Sequence, residues 1–138
     1  MLKKIISLVL SFVLLLTVST VAYAQSPIES DIMPCFEYTD STYASLSIST
    51  SGKATCSTSI TGYSGTTTKI VIEMSLQKKT LLWWSNQETW TSTINNFYGS
   101  LVKNATVDGG KYRVKVNYTV YSGSNSEEIT TYSQEKEY

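Results

Sequence analysis

The stretch that decides the fold reads Asp108-Gly109-Gly110-Lys111-Tyr112-Arg113-Val114-Lys115-Val116. Gly110 supplies the backbone freedom that a tight turn requires. Tyr112 is expected to bury its ring while its hydroxyl finds a partner in that turn, so Asp108, Gly110 and Tyr112 form a structural corner. From Tyr112 onward strict alternation predicts a strand with one buried face. Its inward stripe is Tyr112, Val114, Val116, Tyr118 and Val120.

A period of two also runs through the rest of the chain from Tyr43. The clearest case before the corner is residues 68–78, where Ile70, Ile72, Met74 and Leu76 share one face. Val, Ile, Thr and Tyr are abundant and Pro is scarce, which is a β composition. About seven or eight short strands separated by turns predict an all-β, antiparallel β-sandwich.

The N-terminus has the pattern of a signal peptide over residues 1–24. Lys3 and Lys4 precede an apolar run, and Ala22-Tyr23-Ala24 predicts cleavage before Gln25. An uncleaved membrane anchor is the alternative, since the run approaches the length that spans a bilayer. We expect a secreted, extracellular protein with no stable membrane span after cleavage.

The mature chain is then expected to form one domain. Residues 25–42 contain both prolines and little periodicity, which predicts an extended N-terminal arm, and residues 43–138 form the sandwich. Cys35 and Cys56 are expected to pair in one disulfide that ties the arm to the sheet, as is usual for exported chains. A free reactive thiol is the alternative, although the chain has no His to activate it.

The charge balance bears on partners. Removing residues 1–24 takes away Lys3 and Lys4 and no acid, which changes the formal net charge from +0 to about −2. This balance argues against nucleic acid and against generic binding to anionic membranes. The oligomeric state is left open by the sequence.

Two resemblances follow from these motifs. Residues 54–133 resemble immunoglobulin-like domains: residues 76–82 look like the turn between strands C and C′, and Asp108-x-Gly110-x-Tyr112 looks like the tyrosine corner. Val114 stands where that family has its second cysteine, and residues 68–78 carry no Trp, so the usual inter-sheet disulfide cannot form and the topology stays open.

The second resemblance covers nearly the whole chain. It rests on Met33-Pro34-Cys35, Tyr63-x-Gly65-Thr66-Thr67, Leu76-Gln77-Lys78-Lys79, Trp83-Trp84, Tyr112-Arg113-Val114-Lys115 and Tyr121-Ser122-Gly123. Together these motifs resemble a family of small secreted proteins of Gram-positive bacteria that has no established function. The resemblance implies export and nothing more.

The sequence contains few side chains that could act in catalysis. With no His, the commonest general base and metal ligand is missing, so we expect no enzyme activity, no metal and no cofactor. A small carboxylate-type hydrolase is the remaining enzymatic alternative, and it would need Glu73 and Glu88 to face one cleft. A solvated sheet face is the simpler interpretation of these two residues.

The sequence contains more side chains that could bind a ligand. The candidate ligand-binding residues are Trp83, Trp90, Tyr63, Tyr98, Tyr121 and Asn86. Adjacent residues of a strand point to opposite faces, and the parity shared with Trp90 suggests Trp84 inward and Trp83 outward. Candidate anion-binding residues are Lys111, Arg113 and Lys115, whose alternative role is cross-strand pairing with Glu73 or Glu128.

The function that this pattern favours is a secreted, non-enzymatic binding or interaction protein. Its ligand would be an extracellular glycan, a cell-wall polymer or a protein. The alternative is a toxin-like or bacteriocin-like effector acting on another cell's envelope, with Leu81-Leu82-Trp83-Trp84 as an amphipathic tip.

Overall fold

Segments rich in β-branched and aromatic residues form the strands, because such side chains fit a pleated, half-buried surface. The computed structural model describes residues 35–138. Its strands are β1 (Thr39–Ile48), β2 (Lys53–Gly62), β3 (Lys69–Lys79), β4 (Trp84–Ile94), β5 (Tyr98–Thr106), β6 (Lys111–Ser122), β7 (Asn125–Tyr132) and β8 (Lys136–Glu137). No helix occurs within these residues, so the predicted all-β fold is confirmed.

The strands form two antiparallel sheets. A three-stranded sheet has the order β1-β2-β5, and a five-stranded sheet has the order β4-β3-β6-β7 with β8 paired to the start of β6. The chain crosses between the sheets after β2, after β4 and after β5. Each sheet therefore combines hairpins of consecutive strands with a pair that is distant in sequence, β2 with β5 and β3 with β6.

The inner faces of both sheets share one hydrophobic core. Every residue of the predicted inward stripe on β6 is at most 1 % exposed, as are the predicted core residues of β3. Tyr118 links the layers: its hydroxyl hydrogen-bonds Thr58 Oγ1 on β2, and Thr58 Oγ1 donates to the Tyr43 carbonyl on β1 at 2.7 Å. The shared core supports the predicted β-sandwich.

The first strand begins earlier than predicted. β1 starts at Thr39, so residues 39–42 belong to the sheet rather than to an extended arm. The backbone N–H groups of Glu37 and Tyr38 donate to the Glu127 carboxylate at 2.8 and 3.0 Å, which holds the chain against β7 just before β1. Residues 25–34 of the predicted arm, the signal peptide and its cleavage site lie outside the described residues.

The predicted disulfide is wrong, because Cys35 and Cys56 are both free thiols. Thr39 pairs with Gly62, whereas Cys56 pairs with Leu46. The distance along β1 from position 39 to position 46 is about 23 Å at 3.3 Å per residue. A disulfide needs Cα atoms within about 7 Å. Cys56 lies in the core beside the second half of β1, while Cys35 is exposed and precedes the first residue of that strand.

Candidate binding face

The five-stranded sheet has a second face, pointing away from the core, which we call the outer face. On β6, alternate residues are buried, so Arg113, Lys115, Asn117 and Thr119 point outward. None of the described strands covers this face, because the three-stranded sheet packs on the other side. Its side chains are therefore available to a ligand.

A ladder of one cation and two aromatic rings occupies one end of the outer face. The Arg113 guanidinium lies 4.3 Å from the Trp84 ring centroid and 4.4 Å from that of Tyr132. Arg113 Nε also donates to Gln77 Oε1 at 2.9 Å, and Gln77 Nε2 donates to Asn86 Oδ1 at 2.8 Å. Stacking and hydrogen bonding together hold the guanidinium in one orientation.

Trp84 reaches the outer face because of a β-bulge. Before the bulge Leu76 pairs with Glu88, and after it Gln77 pairs with Asn86, so Gln87 has no partner on β3. One extra residue reverses the side-chain parity of the strand. The inward orientation suggested for Trp84 from the parity of Trp90 is therefore wrong.

A groove of about 370 Å³ lies beside the ladder, in the middle of the outer face. Its lining residues are Val71, Glu73, Thr91, Asn117, Tyr118, Thr119, Glu128, Ile129 and Thr130. Asn117 Nδ2 donates to Glu73 Oε1 at 3.2 Å, and Thr130 Oγ1 donates to Asn117 Oδ1 at 3.0 Å. Carboxylate, amide and hydroxyl groups thus form a connected hydrogen-bonding surface across three strands.

The outer face holds only part of the predicted ligand set. Asn86 lies on it beside Gln77, and Tyr121 lies at its far end with Lys69 Nζ 3.7 Å from the ring centroid. Trp83 lies outside the face, in the β3–β4 loop, and its side chain is 63 % exposed.

The other predicted aromatic residues are separated from this face. Trp90 is half-buried and packs against the core. Tyr63 is exposed in the β2–β3 loop. Tyr98 is exposed at the start of β5 in the three-stranded sheet and contacts Phe97 edge to face. These residues cannot act together with the groove.

The predicted basic stripe has three different environments. Lys111 Nζ forms an ion pair with Glu135 at 3.3 Å. Arg113 belongs to the ladder, and Lys115 lies opposite Tyr132. Among the described residues, no ion pair joins the stripe to Glu73 or Glu128. Positive charge is therefore available at the end of the groove.

The two carboxylates considered for hydrolysis lie on opposite sides of the sheet. Glu73 points outward into the groove. Glu88, opposite Leu76, is on the inward side of β4, and its charge raises the pKa of the core thiol Cys56 in addition to the effect of burial. The pair does not face a common cleft.

The structural corner lies just before and at the start of β6, away from the groove. The Tyr112 hydroxyl donates toward the Asp108 carbonyl at 3.0 Å and Asp108 Oδ1 at 2.7 Å, and Lys78 Nζ donates to the same Oδ1 at 2.7 Å. These bonds, from Lys78 first and then Tyr112, lower the pKa of Asp108 to about 2. Gly110 has φ +148°, and a Cβ there would lie 2.7 Å from Lys78 Cε.

Sequence reasoning missed several residues of the face. These are Asn117, Thr119 and Thr130, together with Trp84, which was expected to point inward. Alternation alone marks Asn117 and Thr119 as outward, but only the register of β6 with β7 places Thr130 beside Asn117. The alternation of β3 and β6 was visible in the sequence, whereas the register that brings β7 and the start of β4 to the same face was not.

Comparison with known proteins adds no assignment. A scan against protein-family models finds no match to this chain, and a search of curated proteins finds none either. Within the described range, no group of three or more His, Cys, Asp or Glu side chains is placed to hold a metal ion. In residues 35–138 there is also no helix with the length and apolar character needed to cross a bilayer.

Proposed function

We propose that this protein is a non-enzymatic binding module that takes a carbohydrate ligand on its outer face. The observation that carries the proposal is the groove of about 370 Å³ with its hydrogen-bonded floor of Glu73, Asn117 and Thr130. A polyhydroxylated ligand needs many donors and acceptors in fixed positions, whereas most pockets for drug-like ligands are largely apolar. The composition of the groove favours a sugar.

Tyr132 provides an apolar platform beside the groove. It is 48 % exposed, and it lies two positions from Thr130 on the same side of β7. Two residues of a strand span about 7 Å, so a pyranose ring stacked on Tyr132 would bring its hydroxyls to Thr130 and Asn117. Arg113 and Lys115 at this end would attract an acidic sugar or an anionic wall polymer.

Binding rather than catalysis is supported by the chemistry of the chain. There is no His to act as a general base, and Glu73 and Glu88 lie on opposite faces of the sheet. The hydrolase considered from the sequence, which needs Glu73 and Glu88 in one cleft, is therefore not supported.

The proposal is tested with the purified protein on a glycan array, with peptidoglycan and mucins as polymeric probes. Binding should occur to at least one carbohydrate class, and Tyr132→Ala and Asn117→Ala should each weaken it about tenfold or more. Tyr98→Ala is the matched control, since Tyr98 is 55 % exposed, similar to Tyr132, but lies on the other sheet. Silence across all probes, or binding that both groove variants retain, would refute the proposal.

We also infer that the domain is immunoglobulin-like. Strands β1 to β7 correspond in order to the immunoglobulin strands A, B, C, C′, E, F and G. The two sheets then have the orders A-B-E and C′-C-F-G, which supports this assignment. The Tyr112 hydroxyl bonded to the Asp108 carbonyl supports it further. An experimental structure with a different strand order would contradict it.

Export and kinship with small secreted Gram-positive proteins remain predictions from the sequence. The support for export is the run from Lys3 to Ala24. N-terminal sequencing of protein recovered from the culture medium should begin at Gln25. Recovery only from the membrane fraction with residue 1 intact would support the uncleaved anchor instead.

A further inference from the structure

Three consecutive large apolar side chains project from the loop between β3 and β4. Leu81 is 95 % exposed, Leu82 78 % and Trp83 63 %. The loop is closed by its own hydrogen bonds: the Thr80 N–H and hydroxyl both donate to the Trp83 carbonyl at 2.8 Å. Closing these groups internally lowers the cost of moving the loop out of water. We call Leu81–Trp83 the apolar tip.

Basic residues gather behind the apolar tip. Register places the ends of β3, β4, β6 and β8 at this end of the sandwich. Its basic residues, here called the basic collar, include Lys78, Lys79, Lys111, Arg113, Lys115 and Lys136.

Part of the collar is neutralised by acids. Asp108 pairs with Lys78 and Glu135 pairs with Lys111, and Glu137 lies next to Lys136 in the chain. Among the described residues, Lys79, Arg113, Lys115 and Lys136 have no carboxylate oxygen within ion-pair distance. The tip end therefore keeps a positive surplus.

Acidic residues gather at the opposite end. Glu37 and Asp40 precede or begin β1, and Glu127 and Glu128 lie near the start of β7. The near-zero formal charge of the chain thus conceals a separation of charge along the strands, with the apolar tip at the positive end. Such a molecule is oriented by an anionic surface.

We propose that the apolar tip docks peripherally on a lipid bilayer that contains anionic lipids. Leu and Trp side chains enter the interface between headgroups and acyl chains, while the basic collar stays at headgroup level. Each Lys or Arg near an anionic surface strengthens binding about fivefold, and the strengthening is screened by salt. The apolar tip is separate from the groove of the proposed carbohydrate site, while Arg113 and Lys115 belong both to the basic collar and to the positive end of that site.

A second copy of the chain fits this surface less well. A symmetric tip-to-tip dimer would bring two basic collars together. Three side chains also bury far less than the roughly 800 Å² per partner typical of a stable protein interface. A bilayer satisfies both the apolar and the positive character of this end.

The test is co-sedimentation of the full protein with vesicles of phosphatidylcholine alone or with about 30 % phosphatidylglycerol, an anionic lipid. Binding should require the anionic lipid, fall with added salt, and shift the tryptophan emission to the blue. The double variant Leu81→Ser/Leu82→Ser should bind at least about tenfold more weakly. Val102→Ser is the matched control, because Val102 is exposed on the three-stranded sheet.

The outcomes separate the alternatives. Unchanged near-ultraviolet circular dichroism and thermal unfolding would show that the tip variant is folded. No vesicle binding, equal binding to both vesicle types, or full binding by the tip variant would overturn the proposal. Concentration-dependent dimers that the tip variant abolishes, without vesicle binding, would assign the tip to a second copy and overturn it as well.

Discussion

Cys56 offers a quantitative test of the core. Its side chain is fully buried on the inner side of β2, and burial, with a contribution from the charge of Glu88, raises the pKa of the thiol to about 12. At pH 8 a thiol with that pKa is ionised in about one molecule in ten thousand. The same thiol in the unfolded chain, with the usual pKa of about 8.5, is ionised in about a quarter of molecules. Only the thiolate reacts, so folding should slow its modification about a thousandfold or more.

The assay is a time course with a chromogenic disulfide reagent at pH 8, without prior reduction. In native protein the exposed Cys35 should react alone, and Cys56 should react only after urea is added. Cys35→Ser is the control and should leave only the slow thiol. If no thiol reacts in urea before reduction, the predicted disulfide between Cys35 and Cys56 is present after all. Equal reaction rates of both cysteines in the native protein would refute the burial of Cys56.

The raised pKa of the Cys56 thiol also makes the free energy of unfolding depend on pH. Because the folded-state pKa of Cys56 lies above the unfolded value, its contribution is intact below about pH 8.5 and is lost as the pH rises toward 12. The loss is at most about 5 kcal/mol. Cys56→Ala should therefore show a smaller fall in unfolding free energy between pH 8 and pH 11 than the parent protein.

Other predictions concern the corner and the bridge between sheets. Tyr112→Phe should lower the unfolding free energy by about 1–1.5 kcal/mol, seen as a shifted urea midpoint at constant m-value, because the hydroxyl bonded to Asp108 is lost. Tyr121→Phe, whose hydroxyl has no hydrogen bond within residues 35–138, should change nothing, and equal shifts would contradict the role of the corner. Tyr118→Phe should cost about 2 kcal/mol, since it leaves buried groups between the sheets with one bond fewer, and a smaller loss than for Tyr112→Phe would count against the bridge. The Asp108 carboxyl should titrate near pH 2 by NMR, so that its stabilising contribution is present above about pH 4 and is lost as the pH falls toward 2. Lys78→Met should raise that midpoint, and an unchanged midpoint would exclude the ion pair as the cause.

The strands with a strict period of two were predictable from the sequence. Alternation is a local property of an extended backbone, so the buried stripe from Tyr112 to Val120 follows from the residues alone. The turn before it was predictable for the same reason, since Gly110 is required by its own backbone angle.

The candidate site was much less predictable. Trp84 and Tyr132 meet at Arg113 only because of the order β4-β3-β6-β7 and the register of its strands, which a single sequence does not display. The disulfide prediction failed for a related reason: the compartment suggested pairing, but the register separates Cys35 from Cys56. Net charge was uninformative because it sums Lys79 and Glu127, which the fold places at opposite ends.

Gln87 decides which face of the sheet Trp84 occupies. If the bulge were lost while Gln87 stayed in the strand, β4 would shift by one position against β3 and Trp84 would turn to the inner face. Deleting Gln87 would instead make the present register regular and keep Trp84 opposite Lys79 on the outer face, because Trp84 and Trp90 would then be an odd number of residues apart. A homologous chain that is one residue shorter here would therefore present the same tryptophan to the outside.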